Sequence, residues 1–314
     1  MADISKKGAP NKASVTMFSG KGGVGKTTCA AATALHYASS GQRTLALSTD
    51  ATPSLSHIFE KPGDEKPKKV RDSLYLNELG AEEVEKMWDE KFGREVYDVF
   101  STFIDIGYKQ FVEFTTSILP GLGDEFMVDY IRELSLKEDY DGIVWDTAPL
   151  GQTLSLLRTP AMLVEHLKMA PRIYTRLKLS KIQKEPILDI IKRWERLSAD
   201  ELKFLQNDVK FVIVTIPEAL AVEQLENAFL KLDRSGLIVD QLIINNVIEA
   251  DDSPFLKAKA NLQKRYIEYI HLKYADLPIT EVPLFPYELK GWDRLKEVEK
   301  ILFSNSPSSG RLRL

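Results

Sequence analysis

Residues 18–30, FSGKGGVGKTTCA, constrain this chain more than any other stretch. Gly20, Gly25, Lys26 and Thr27 occupy the fixed positions of G-x-x-x-x-G-K-[ST], with the apolar run SVTMFS before them reading as a strand and KTTCAAATALHYASS after them as a helix. A turn of this kind suits one class of ligand. Its glycines let backbone N–H groups approach phosphate oxygens, the lysine reaches the β and γ oxygens, the threonine hydroxyl ligates Mg²⁺, and the helix N-terminus adds partial positive charge. Gly20, Lys21, Gly22, Gly23, Val24, Gly25, Lys26, Thr27 and Thr28 are therefore the nucleotide-binding candidates, with Lys26 also a catalytic candidate and ATP with Mg²⁺ the implied cofactors. Lys21, directly after the first glycine, is surplus to the motif.

Apolar runs rich in Val, Ile and Leu recur along the chain: RTLALSTD from Arg43, SLYLNEL from Ser73, DGIVWDT from Asp141, VKFVIVTI from Val209, QLIINNVI from Gln241 and TEVPLF from Thr280. Most read as strands buried on both faces, and helical patterns separate them. The expected fold is thus α/β, a doubly wound and mostly parallel sheet whose sites form at the carboxyl ends of the strands. Asp50 and Asp146 each close a strand and are expected at the same site, Asp146 holding Mg²⁺ directly or through its water. The charged stretch EKPGDEKPKKVRD, residues 60–72, reads as a solvated connection.

Two segments exceed ordinary crossovers. Residues 82–137 place Phe92, Val96, Val99, Phe100, Phe103 and Ile104 on one helical stripe, and residues 159–208 interleave apolar positions with Lys and Arg. They read as a helical subdomain on the carboxyl edge of the sheet, the two stripes either packing on each other as core or opening into a groove for an apolar helix or a membrane surface. The domain reading is one ATPase unit over 14–303, with flexible tails at 1–13 and 304–314. In a chain of 314 residues, 42 basic and 46 acidic side chains nearly cancel, which gives no general attraction to nucleic acid. No apolar run reaches the ~18 residues of a membrane span and no signal segment opens the chain, so a cytoplasmic protein is expected. A single cysteine, Cys29, excludes an intrachain disulfide or a cysteine-based zinc site within one chain.

The stretch KGGVGKTT resembles the deviant Walker A loop of the dimeric ATPases that include division-site and plasmid-partition proteins, arsenite-pump ATPases and factors that target tail-anchored membrane proteins. The resemblance implies that Lys21 reaches across a homodimer to the partner's phosphates, like an arginine finger supplied in trans. STDATPSLSHIF, from Ser48, resembles the first switch of the arsenite-pump and tail-anchored-targeting branch, which implies catalytic roles for Asp50 and for position 57. DTAPLGQTLSLLRTP is similar to its second switch, carried here by Asp146, Pro149, Gly151 and Gln152, and TIPEALAVEQLE to its strand-end proline and glutamate. IINN and VPLFPYELKG resemble its adenine-binding segments, which implies Asn245 and the backbone of Pro283, Leu284 and Phe285 around the base.

The chain departs from that branch at several points. His57 stands where the branch has a water-positioning aspartate, which implies slow hydrolysis, and Gln152 stands where it has histidine. No C-x-x-C pair is present for a zinc clasp, and the region 160–208 contains only Met162 and Met169 instead of a methionine-rich insertion. The implied function is an ATP-driven homodimer that shields and delivers an apolar transmembrane helix, with a possible membrane receptor and transient membrane association. The alternatives are a nucleotide-gated membrane-surface or scaffold switch of the division-site type, and the energising subunit of an anion transporter.

Overall fold

The protein is described here from a computed structural model, in which residues 12–50, 54–64, 66–101, 107–112, 122–148, 187–249 and 253–304 are placed. Eight strands form one sheet: β1 (Ser14–Gly20), β2 (Thr44–Ser48), β3 (Lys68–Arg71), β4 (Leu74–Glu78), β5 (Gly142–Asp146), β6 (Val209–Thr215), β7 (Val239–Val247) and β8 (Ile279–Pro283). Their spatial order is β3-β4-β2-β5-β1-β6-β7-β8. All neighbours are parallel except β3 and β4. The α/β, mostly parallel sheet expected from the sequence is therefore the observed fold.

Burial follows the strand period of two. Val15, Met17, Leu45, Leu47, Ile143 and Trp145 enter one apolar cluster, while Phe18, Ala46, Val144, Val212 and Val214 enter another on the opposite face. The second face is covered by α1 (Lys26–Ser39), the short α2 (Leu55–Phe59) and a C-terminal helix, Gly291–Phe303. Helix α1 presents the buried run Cys29 to Ala32, small side chains that let its axis lie close to the sheet.

One expectation needs correction. The charged stretch 60–72 is not only a connection: Lys68–Arg71 is the edge strand β3, antiparallel to β4. Its side chains are almost all exposed, so neither alternation nor an apolar run marks it. Lysines on a solvent-facing edge are the composition that discourages pairing with another sheet. The turn to β4 is made by Ser73 in the left-handed region at φ 58°.

On the other face, α3 (Ala81–Trp88) continues through a π-helical turn, Asp89–Gly93, into α4 (Arg94–Phe100). It packs near α5 (Leu122–Leu136) and α6 (Ile187–Asn207). Trp88, Val96, Met127, Val128, Ile131, Phe204 and Leu205 join the sheet-facing cluster, with Phe92 partly buried against it. The buried Asp129 carboxylate is held between Lys91 and Arg132, the latter at 2.9 Å, and Trp194 Nε1 donates to Glu95 Oε2 at 3.4 Å. The described parts of the two long helical segments thus pack on each other and on the sheet. Phe103, Ile104 and residues 149–186 lie outside the described residues. Two further helices, α7 (Ala219–Arg234) and α8 (Pro254–Lys273), complete this face, and the C-terminal helix Gly291–Phe303 is α9. No helix among the described residues is long and apolar enough to cross a membrane.

Candidate nucleotide site

The loop between β1 and α1 sits at the middle of the sheet, where β1 is flanked by β5 and β6. Its glycines are required by geometry. A Cβ on Gly20 would fall 2.2 Å from the Val214 carbonyl oxygen, and Gly25 caps α1 at φ 92°, where an added Cβ would fall 2.2 Å from Asn245 Nδ2. Such left-handed backbone is open to glycine at little cost. The loop is also braced from below, because Asn245 Nδ2 donates to the Val24 carbonyl at 2.8 Å in a buried contact. Asn245, expected beside an adenine base, is thereby also a support of the phosphate loop, a contact that links positions 221 residues apart.

Lys26, the first residue of α1, is 6% exposed, and its Nζ donates to the Lys21 carbonyl at 3.3 Å. Burial lowers its pKa, while Asp146 and Asp50 oppose that shift. Register explains the grouping: Phe18 pairs with Asp146 across β1 and β5, and Ser48 pairs with the same Asp146 across β2 and β5. Three adjacent strands therefore end together, and the carboxylates that follow or close them meet at one lysine. Asp50 N donates to Ser48 Oγ at 3.3 Å, and Thr147 Oγ1 donates to the Phe18 carbonyl at 2.7 Å, tying the residue after β5 to the loop strand.

Asp146 is fully buried, and neither carboxylate oxygen has a hydrogen-bond partner. Its pKa is pushed up to about 7, first by burial; the nearby Thr27 hydroxyl and Lys26 ammonium pull it down, and Asp50 and Glu78 push it further up. A buried carboxylate with no hydrogen-bond donor on either oxygen fits a hydrated divalent cation, and the Thr27 hydroxyl beside it would supply a second oxygen ligand. Thr27 and Asp146 would hold Mg²⁺, which when bound would neutralise charge on the phosphate oxygens. No group of three or more His, Cys, Asp or Glu able to hold a metal occurs among the described residues.

The remaining predicted residues divide clearly. Pro283 pairs with Val247, and Leu284 N donates to the Val247 carbonyl at 2.8 Å, which sets the start of the 283–285 segment beside the carboxyl end of β7. A cleft of about 420 Å³ opens there between Pro217, Glu218, Asn246, Lys259, Tyr266 and Leu284. His57 lies exposed on α2, and the charge that registers its presence is Glu288. It is not among the groups acting on Asp146 or Lys26. Pro149, Gly151 and Gln152 lie outside the described residues. Glu78, at the end of β4, went unnoticed in the sequence: it sits near enough to act on Asp146 and accepts hydrogen bonds from α2. Its only signal there was its position as the last polar residue of an apolar run.

The anion-transporting ATPase family profile matches residues 13–304. This chain belongs to that family. Its relatives carry names of two kinds. Putative arsenical pump-driving ATPase 2 of Aquifex aeolicus is 31% identical over 92% of this chain and 98% of its own length. Putative arsenical pump-driving ATPase 1 of the same organism is 26% identical over 93% of this chain and 79% of its own length. ATPase GET3A of Arabidopsis thaliana is 29% identical over 93% of this chain and 84% of its own length. The protein is accordingly an ATPase, converting ATP and water to ADP and phosphate.

The raised pKa of Asp146 has a consequence for folding. A carboxyl that titrates near 7 when folded and in the ordinary carboxylate range when unfolded favours the folded state fully below that ordinary range. The contribution is lost as pH rises toward 7. Asp146→Asn removes the titration, so the nucleotide-free variant is expected to be more stable than the parent at pH 8. The gain should be at most a few kcal/mol, because each tenfold difference in proton affinity between the two states is worth about 1.4 kcal/mol. The gap should narrow as pH falls to 5 and close only below the ordinary carboxylate range. Thermal melts across that range decide it; a gap independent of pH would mean that Asp146 is not desolvated as described.

Proposed function

We propose that this ATPase works as a homodimer in the cytoplasm, coupling ATP binding and hydrolysis to the capture and delivery of an apolar, tail-anchored membrane-protein segment, with transient contact with a membrane receptor. The observation that carries the reading is the unequal state of the two loop lysines. Lys26 is buried at the strand ends with Asp146 and Asp50, the place of a lysine acting on phosphates within its own chain. Lys21 is half-exposed, and no carboxylate among the described residues pairs with its ammonium. A charge left over at the mouth of a phosphate loop suits a partner chain's nucleotide. The resemblance of the two switch segments to the targeting branch supports the choice of client.

A second reading, the energising subunit of an anion pump, is favoured by the names of the Aquifex relatives. One of these is matched over nearly its whole length, so a single copy of the domain is compatible with that name. Against an arsenite ligand in this chain stands Cys29. It is 1% exposed, and burial, helped by Asp146, pushes its thiol up to about 12, far from the thiolate that such chemistry needs.

Steady-state kinetics on three variants test the lysines and residue 57 together. Lys21→Ala is expected to keep ATP affinity and to lose turnover at least tenfold, about 1.4 kcal/mol of barrier or more. Lys26→Ala should lose affinity itself. His57→Asp should raise turnover roughly tenfold if α2 swings residue 57 to the attacking water in the closed state, since a carboxylate accepts a stronger, charge-assisted bond. Equal loss of affinity in both lysine variants would remove the trans role, and an unchanged rate in His57→Asp would put residue 57 outside the reaction. The two functional readings separate in the same assay on the parent protein. Turnover that responds to an apolar helical peptide and not to arsenite supports targeting, whereas the reverse supports the pump.

A further inference from the structure

The first switch is attached to the sheet at a point that neither the loop nor the nucleotide segments explain. Glu78, the last residue of β4, accepts two hydrogen bonds at one carboxylate oxygen, from Leu55 N at 2.9 Å and from Ser56 N at 3.1 Å. These are the first two amides of α2, and the Ser54 side chain does not cap them. Ionised acceptors at a helix N-terminus make stronger bonds than neutral ones and match the local partial charge. The same strand end holds the far side of the segment: Asn77 Nδ2 donates to the Asp64 carbonyl at 3.2 Å and Glu78 N to the same oxygen at 3.3 Å.

The side chains of α2 are seated separately. Leu55 and Phe59 are fully buried, and the Phe59 ring stacks on Trp292 at 5.2 Å between centroids. The apolar contacts hold the body of the helix, so the Glu78 carboxylate governs its leading end. That end follows Asp50 by five residues and lies two residues before the exposed His57.

We propose that Glu78 is a positioning residue for ATP hydrolysis, the fixed point from which the first switch is presented to the phosphates. It touches no reacting group; it acts through the Leu55 and Ser56 amides. A rigid leading end leaves fewer orientations for residues 54–57 to sample, and precise placement of such groups acts on the transition state more than on nucleotide affinity. The inference rests on the ATPase activity and not on the identity of the client.

Gly63 offers an independent handle on the same carboxylate. It is exposed, and a Cβ there would fall 2.3 Å from Glu78 Oε2. The contacted atom is the free end of a side chain, so Gly63→Ala displaces the carboxylate and leaves the backbone in place. Two substitutions at separate positions therefore remove one interaction, which makes their combination informative.

The experiment pairs ATPase kinetics with hydrogen–deuterium exchange of the nucleotide-free protein over residues 54–59. Glu78→Ala and Gly63→Ala are each expected to lower kcat about tenfold with KM for ATP changed less than about twofold, and to speed exchange at Leu55 and Ser56 at least tenfold. Glu78→Gln, which keeps an acceptor oxygen, should recover most of both. The double variant Glu78→Ala with Gly63→Ala should be no worse than either single one. Unchanged exchange and kcat in Glu78→Ala would overturn the proposal. So would additive losses in the double variant, or a loss that appears in KM and melting temperature alone. A parent protein without turnover would contradict the ATPase reading, and the exchange measurement would still decide whether Glu78 holds the switch.

Discussion

The structure depends on burying a lysine and a carboxylate together where three parallel strands end. Lys26 and Asp146 are both almost without solvent. Isolated charges in such a place are costly, so their burial has to be compensated by each other and by a ligand. The compensation is incomplete, with both oxygens of Asp146 lacking hydrogen-bond partners and its pKa raised to about 7. The rest of the architecture serves this point. The register of β1, β2 and β5 brings the strand ends level, the small face of α1 draws the loop onto the sheet, and Asn245 holds the loop from β7. Phosphates and a cation at this point would compensate both charges.

What the sequence revealed follows from which interactions are local. The central strands were legible because both their faces are buried, which leaves continuous apolar runs such as VKFVIVT with a burial pattern to match. The phosphate loop was legible because its glycines are demanded within a span of six residues. Strand β3 was not, since its stability comes from pairing with β4 and its side chains face water. The π-helical turn at Asp89–Gly93 was likewise invisible, because it shifts the phase of a stripe without changing its composition. Asn245 was recognised for the base, yet its bond to Val24 depends on two distant segments meeting. Glu78 shares that difficulty: nothing near it in the chain announces that Leu55 and Ser56 will stand opposite. The switch pattern placed residue 57 with the catalytic group, while the fold sets His57 on the outer surface of α2 near Glu288.

The arrangement separates holding from hydrolysing. Lys26 and Asp146 form the buried floor within one chain, with Thr27 half-buried beside them, and α2, tied to β4 by Glu78, has its apolar seat on α9 through Trp292. Lys21 belongs to neither group. In the proposed mechanism its partner is the second chain's nucleotide, which supplies a contact that exists only with the γ-phosphate present and the two chains together. A ligand shifts an equilibrium only by its differential affinity for the two states, and this contact is the differential term.

The direct measurement of that claim is the molar mass of the purified protein by light scattering, with Mg²⁺ and either ADP or a non-hydrolysable ATP analogue. One chain has a mass of 35.5 kDa. The account predicts a shift toward twice that value with the ATP analogue relative to ADP, and loss of the shift in Lys21→Ala. The same single-chain mass with both nucleotides would contradict it.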